Sequence, residues 1–213
     1  MKILKFVLIF LGFLILGVIV ALLLSPKEVN YENSVEVSVS PKIAWKAFTN
    51  EEAMKLWIPN LKSIEHKSGD PMTLGAVSEL TFEENGQELT LLETVTGVEP
   101  GKSYAFQLVA DKLMEINTDV RLEAVESGTR IQSSSKVTPL TWILRLTLFG
   151  ADETMRDRSQ EGYDKLADII NASSSFGKDG GRQGGLSLTD AGGLAAGWYA
   201  DSKADLGWPG SEA

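Results

Sequence analysis

The chain is 213 residues long, carries a formal net charge of -9 and is 43% hydrophobic, enough for one globular domain with appendages. With no lysine or arginine cluster to displace counterions, this acidity excludes a phosphate-tracking nucleic-acid protein. The absence of cysteine excludes disulfides, thiolate nucleophiles, iron–sulfur clusters and thiolate metal sites.

Lys2 and Lys5 precede FVLIFLGFLILGVIVALLL, an uncharged run over residues 6–24 of about the length that crosses a bilayer's hydrocarbon core. A cleaved secretory signal is the rival reading, but the run exceeds a typical signal core and ALLLSP offers no A-x-A-like site. A retained signal-anchor is expected over residues 1–30. Lys2, Lys5 and the terminal amine lie before it, whereas Lys27 after it is followed by Glu28 and Glu32, so the positive-inside rule places the N-terminus in the cytoplasm. The expected protein is single-pass with an extracytoplasmic domain, on the periplasmic side of a bacterial inner membrane. Gly12 and Gly17 are five apart, so the small-xxx-small dimer face is absent.

The alternation of SVEVSVS predicts a half-buried strand over 35–39, and Pro41 then opens a helix, PKIAWKAFTN, with its ring in a tolerated first turn. Ala44, Trp45 and Phe48 share one face of that helix. A second short helix, EEAMKLWI, follows with Asn50 as its cap and Glu51 and Glu52 in the dipole-favoured first turn. Six further strands are expected at 61–67, 74–82, 88–98, 103–109, 117–125 and 129–137, separated by the turn signals SGDP, ENG, EPGK and ESG. Such short connections imply antiparallel pairing, most simply as a meander. His66, the only histidine, stands in a lysine-flanked stretch and reads as a solvated surface residue rather than a catalytic one.

After Pro139, LTWILRLTLFG is apolar, and Trp142, Leu146 and Phe149 there form either an interfacial patch near a bilayer or buried packing. A long helix follows, with Met155, Ser159, Gly162, Leu166, Ile169 and Ile170 on one face and charged residues on the other. Strand, two helices, a run of strands and a closing helix is an α+β order with the long helix on a curved antiparallel sheet. Residues 173–213 are glycine-rich and aperiodic and read as a disordered tail. Its Trp198, Tyr199 and Trp208 offer a docking element for a partner, unless the extension has no function.

The order of elements resembles the SRPBCC (START-like) superfamily with its helix-grip fold, and more narrowly its membrane-anchored members of the polyketide cyclase/dehydrase and lipid-transport type. The resemblance covers about residues 31–171, and the domain is expected over 31–172. It is carried by the SVEVSVS strand, Pro41, Trp45 and Phe48, then Trp57, Gly75, the VEPGKSYAF turn and strand with Pro100 and Tyr104, the GTRI strand entry with Gly128 and Thr129, and GYDKL in the closing helix. The resemblance implies a fold of about seven antiparallel strands, two short helices and a long C-terminal helix, with a cavity between the concave sheet and that helix. It does not by itself assign a function.

Within such a cavity, strand alternation points inward Leu74, Ala76, Ser78, Leu80 and Phe82; Leu89, Leu91, Glu93 and Val95; Tyr104, Phe106 and Leu108; Val120 and Leu122; and Ile131, Ser133, Ser135 and Val137. The candidate ligand-binding set is Trp45, Ser78, Leu80, Phe82, Leu91, Glu93, Tyr104, Phe106, Leu122, Ile131, Ser133, Ser135, Met155, Ser159 and Gly162. Glu93 is an inward carboxylate whose charge burial disfavours unless a partner bonds it; a bulge in LTLLETVTG would turn it to solvent. The serines can bond a ligand, but with no histidine or lysine base beside them they lack the means to become nucleophiles. The acidic runs lack a calcium-loop pattern, and neither a metal nor a cofactor is expected. Gly162 removes volume from the buried helix face, either leaving space for a ligand, the favoured role, or admitting close packing.

The leading expectation is a membrane-anchored protein that binds a hydrophobic small molecule or lipid. The alternatives are an enzyme of cyclase or dehydratase type working through Glu93 or Tyr104, and a structural or assembly subunit docking on a membrane-protein partner through its membrane helix and aromatic tail.

Overall fold

The computed structural model describes residues 2–178. An apolar helix, α1 (Lys2–Leu24), leads into β1 (Val29–Val37), followed by the short helices α2 (Pro41–Thr49) and α3 (Glu51–Trp57). Six strands follow: β2 (Leu61–Ser68), β3 (Val77–Glu84), β4 (Gln87–Glu99), β5 (Ser103–Ala110), β6 (Met114–Val125) and β7 (Gly128–Pro139). The chain then forms α4 (Trp142–Thr147) and the long α5 (Asp152–Lys178).

All seven strands form one antiparallel sheet in the order β1-β7-β6-β5-β4-β3-β2. β2 to β7 are the expected meander, and β1 joins its far edge because α2 and α3 carry the chain across the open end. Local chemistry sets the turns. Asn85 and Gly86, at φ 54° and 76°, make the two-residue β3–β4 hairpin that favours these residue types. Pro41 starts α2 behind Ser40, and the Asn50 side chain accepts from Ala53 N–H at 2.9 Å to cap α3.

α5 lies across the concave face. It is tied to β1 by Asn33, whose side-chain amide donates to the Arg156 carbonyl at 2.9 Å and to Gln160 Oε1 at 3.0 Å. Its buried stripe of Tyr163, Leu166, Ala167 and Ile170 meets Ala44, Trp45, Phe48 and Trp57 from the short helices in the main core. A smaller cluster of Val29, Val137 and Leu148 sits beneath α4.

Several boundaries move from the sequence expectation. β1 begins at Val29 rather than 35, which brings Tyr31 and Asn33 onto the inner face. β3 begins at Val77 rather than 74, because backbone bonds Thr73 N–H to Asp70 O and Ala76 N–H to Thr73 O hold 70–76 in turns. Leu74 therefore points outward, 69% exposed, and leaves the inward set. α5 runs to Lys178, past the boundary at 172; the rest of the expected tail, with Trp198, Tyr199 and Trp208, lies outside the described residues.

Gly128 is required by geometry. Its φ is +142°, and a Cβ there would stand 2.9 Å from Ser38 Cα and Val39 N and closer still to the Val37 carbonyl oxygen. Only glycine lets β7 begin against the end of β1.

Candidate functional site

The sheet's concave face and α5 enclose a cavity of about 720 Å³, within the roughly 300–1,000 Å³ range of small-molecule sites. β3 contributes Leu80 and Phe82; β4 contributes Leu89, Leu91 and Glu93; β5 contributes Tyr104, Phe106 and Leu108. Met114, Ile116 and Thr118 of β6, Ser135 and Val137 of β7 and Tyr31 of β1 complete the sheet wall. α5 supplies Met155, Arg158, Ser159, Gly162 and Tyr163, and Phe48, Met54, Trp57, Ile58 and Pro59 close the end formed by α2 and α3. Charged side chains stand on the rim, where Arg158 pairs with Glu84. At about 30 Å³ per water-sized group, the volume suits a single acyl chain or a fused-ring skeleton better than a two-chain phospholipid.

Glu93 is the charged residue of the interior, 6% exposed. The β4 bulge falls between Val95 and Gly97, where the register shifts, so Leu91, Glu93 and Val95 keep one parity and face inward together. Tyr104 O–H donates to Glu93 Oε1 at 2.6 Å. Burial pushes the Glu93 carboxyl above the usual carboxylate range, while the Tyr104 hydrogen bond and nearby His66 pull the other way. Burial, and then the facing carboxylate, push the Tyr104 phenol far upward, so it remains a donor. Glu93 accordingly presents a carboxyl group to a mostly apolar space.

A second polar spot lies across the wall, where Thr118 Oγ1 and Ser135 Oγ are bonded at 2.9 Å. Burial raises the Tyr31 phenol beside Ser135, whose hydroxyl opposes the shift. Tyr163 is pushed up to about 12 by burial, with the Ser133 hydroxyl opposing. Trp57 stacks on Phe48 with centroids 5.6 Å apart, and its buried indole N–H has no acceptor among the described residues. Buried donors are almost always paired in folded proteins, so this N–H is an uncompensated donor inside the end wall, shielded from the cavity space. Among the described residues no group of three or more His, Asp or Glu side chains is placed to hold a metal ion.

Of the candidate residues, Leu80, Phe82, Leu91, Glu93, Tyr104, Phe106, Ser135, Met155, Ser159 and Gly162 line the cavity. Trp45, Leu122 and Ile131 do not. They are buried in the main core, at the end of the concave face that α2 fills. Ser133 is buried off the cavity wall. Ser78 also lies off the wall and corrects the expectation of a serine without a histidine: His66 Nδ1 is 3.0 Å from Ser78 Oγ, and His66 Nε2 is 2.7 Å from Glu51 Oε1. His66 is thus a surface residue, as expected, but one that bridges β3 and the first turn of α3.

Gly162 borders the cavity, yet a Cβ there would meet Trp57 O and Pro59 Cδ, both at 3.1 Å. Its role is close packing of α5 on the α3–β2 connection, not the removal of volume from the ligand space. Sequence reasoning missed Tyr31, Thr118, Tyr163 and the end wall of Met54, Ile58 and Pro59. Thr118 lies within the expected 117–125 strand and shares the parity of Val120 and Leu122, while Tyr31 shares the parity of Val35 and Val37 and a longer first strand would have found it; the end wall carries no periodic signal.

The family model described as polyketide cyclase/dehydrase and lipid transport matches residues 28–170. No curated protein matches the chain by sequence. Among solved structures, the crystal structure of Ara h 8.0201 is similar over 68% of this chain and 99% of its own, with TM-score 0.54 and 19% identity. A protein of unknown function from Staphylococcus aureus, SA2116, is similar over 70% and 96%, with TM-score 0.57 and 14% identity. The di-domain ARO/CYC StfQ from the steffimycin biosynthetic pathway is similar over 70% of this chain and 52% of its own, with TM-score 0.56 and 10% identity. At these identities the likeness is one of fold.

Proposed function

The chain belongs to the polyketide cyclase/dehydrase and lipid-transport family, within the SRPBCC superfamily, and from that premise we propose that it is a membrane-anchored binding protein for a hydrophobic small molecule or lipid. The observation that carries this function is the cavity of about 720 Å³ with its apolar wall. The ligand class follows from the polar groups. Arg158 is the basic residue among those lining the cavity, and it is engaged by Glu84 at the rim, so a buried phosphate or fatty-acid carboxylate would lack a counter-charge. Glu93 offers an acceptor, or a donor when protonated, with the Tyr104 hydroxyl beside it. A mostly hydrocarbon molecule with one neutral hydroxyl or carbonyl group fits this set.

The anchor is supported by α1, whose 23 residues span about 34 Å at 1.5 Å per residue, against a hydrocarbon core of about 30 Å. Its cytoplasmic N-terminus and extracytoplasmic domain rest on the lysines before the span.

Mass spectrometry of an organic extract of the purified full chain tests the function, together with displacement of a fluorescent apolar probe. A co-purifying neutral lipid-like molecule, and probe binding abolished by Leu91→Trp, are expected. If nothing apolar co-purifies and Leu91→Trp leaves probe binding unchanged, the function is wrong. Retention of the intact N-terminus in membranes after alkaline washing tests the anchor; a mature chain starting after residue 24 overturns it.

One observation favours a second reading, proton-transfer catalysis of cyclase or dehydratase type. A carboxyl group whose pKa is raised by burial, held 2.6 Å from a phenol, has the character of a general acid or base. Retention of turnover by Glu93→Gln on any substrate found in the extract overturns it.

A further inference from the structure

α4 stands where the apolar helix α1 ends. The Arg145 guanidinium donates to the carbonyl oxygens of Leu22 and Ser25 at 3.4 and 3.1 Å, and Ser25 O–H donates to the Leu22 carbonyl at 2.9 Å. Carbonyls at a helix C-terminus lack intrahelical donors, and the dipole favours a cation there. The clamp therefore holds α4 against the last turn of α1.

α4 has two unlike faces. Leu144 packs inward with Leu148, just past the helix end, in the cluster of Val29 and Val137. Trp142, Ile143 and, beyond the helix, Phe149 are 57%, 58% and 65% exposed. The patch continues through Leu140 and Leu113, both about half exposed and joined by a 2.8 Å backbone bond from Leu140 N–H to the Leu113 carbonyl. Large apolar side chains grouped on one surface mark an interaction site, and tryptophan suits a membrane–water boundary.

Strand register places the rim of the cavity at this same end. Ala110 pairs with Met114, Met114 with Pro139, and Val29 with Val137, so the β5–β6 turn, the end of β7 and the start of β1 lie together. β4 overhangs that end, since Leu92 faces Val109 and residues 87–91 extend beyond. The overhang and its hairpin carry Glu84, Asn85 and Glu88 along the cavity rim, with Arg158 of α5 across from them. The cavity also reaches Met114 and Met155, which pack in the cluster that Leu144 covers.

We infer that Leu113, Leu140, Trp142, Ile143 and Phe149 form a docking surface for the lipid bilayer, holding the rim of the cavity at the membrane from which the ligand is drawn. This rests on the anchor proposed above: if α1 spans the bilayer, the Arg145 clamp leaves α4 at its surface. On the opposite rim Glu84 is paired with Arg158 and Glu88 with Lys62, so that side offers no uncompensated positive charge to anionic lipid, and docking depends on apolar insertion along the α4 side.

The absence of cysteine permits single-site labelling. Ile143→Cys, Leu113→Cys and Glu123→Cys, each in the full chain, are labelled with a polarity-sensitive fluorophore and reconstituted in phosphatidylcholine vesicles containing nitroxide-labelled lipid. Glu123 lies nine residues from Met114 along β6, about 30 Å away at 3.3 Å per residue. Labels at 143 and 113 are expected to be blue-shifted and quenched several-fold more than the label at 123, equally at low and high salt. Vesicle flotation after an alkaline wash reports the anchor separately. Labels at 143 and 113 as wet as that at 123 in chains that float overturn the docking surface alone. Blue-shifted labels that lipid nitroxide does not quench overturn it in favour of a protein partner or second copy. Chains that do not float overturn the anchor and the docking surface with it. Arg145→Ala is expected to reduce quenching at 143 without affecting flotation, and unchanged quenching counts against the clamp.

Discussion

Replacing Glu93 by glutamine should stabilise the domain near neutral pH, the reverse of what most buried substitutions do. Glu93 is buried between Leu91 and Val95, and burial raises its native pKa above the unfolded value of about 4.3. Across the interval between the two values the native state holds the proton while the unfolded state has released it, so wild-type stability falls as pH rises. Below the unfolded value both states are protonated and the penalty vanishes. Above the native value it is complete, at about 1.4 kcal/mol for each unit of upward shift, or about 3–5 °C in Tm for a domain of this size. Glutamine cannot ionise, and its amide oxygen still accepts from Tyr104, so the variant lacks this pH-dependent loss. Near-ultraviolet circular dichroism melts of the full chain in detergent, from about pH 4 to pH 8, should converge at the acid end and separate toward neutrality. Parallel curves would falsify the claim that burial dominates at Glu93. The stabilised variant should bind the co-purifying ligand more weakly, the cost expected when a strained polar group is kept for function.

Gly128→Ala should destabilise the domain by about 2–4 kcal/mol in denaturant titration, because the positive φ and the contacts with 37–39 oppose any side chain; a loss under about 0.5 kcal/mol would mean that the β1–β7 junction yields freely. Gly162→Ala should fail to deliver the ~1 kcal/mol helix gain normally seen, since its Cβ meets a backbone carbonyl and a proline ring; a raised Tm would contradict close packing. Leu91→Trp should keep the fold, the cavity absorbing the ring, while probe affinity drops at least about tenfold, or ~1.4 kcal/mol. Unchanged affinity by fluorescence titration would place the ligand elsewhere.

Much of the sheet was legible in the sequence because alternation and turn chemistry are local. Leu91-Glu93-Val95 carry their parity on their face, and Asn85-Gly86 announces a hairpin. Strand ends were less legible. The expected first strand starts at 35, leaving the Tyr31 segment outside it until β7 pairs with it, and Leu74 alternates correctly with Ala76 yet sits in a turn. The cavity's membership was legible only in part, since inward parity does not distinguish ligand space from filled core. Leu122 and Ile131 point inward as surely as Leu91, but α2 lies over them.

The sequence by itself determined the order of elements apart from α4, the apolar leading helix, the inward carboxylate and the family resemblance, all of which follow from local pattern or spacing. Tertiary structure decided what depends on residues distant in the chain. It brought Tyr104 to Glu93 and His66 to Ser78, and it set Arg145 on the last carbonyls of α1. It also reversed the role of Gly162: a helical face seen alone shows a missing side chain, while only the packed molecule shows Trp57 and Pro59 occupying the place where that side chain would go.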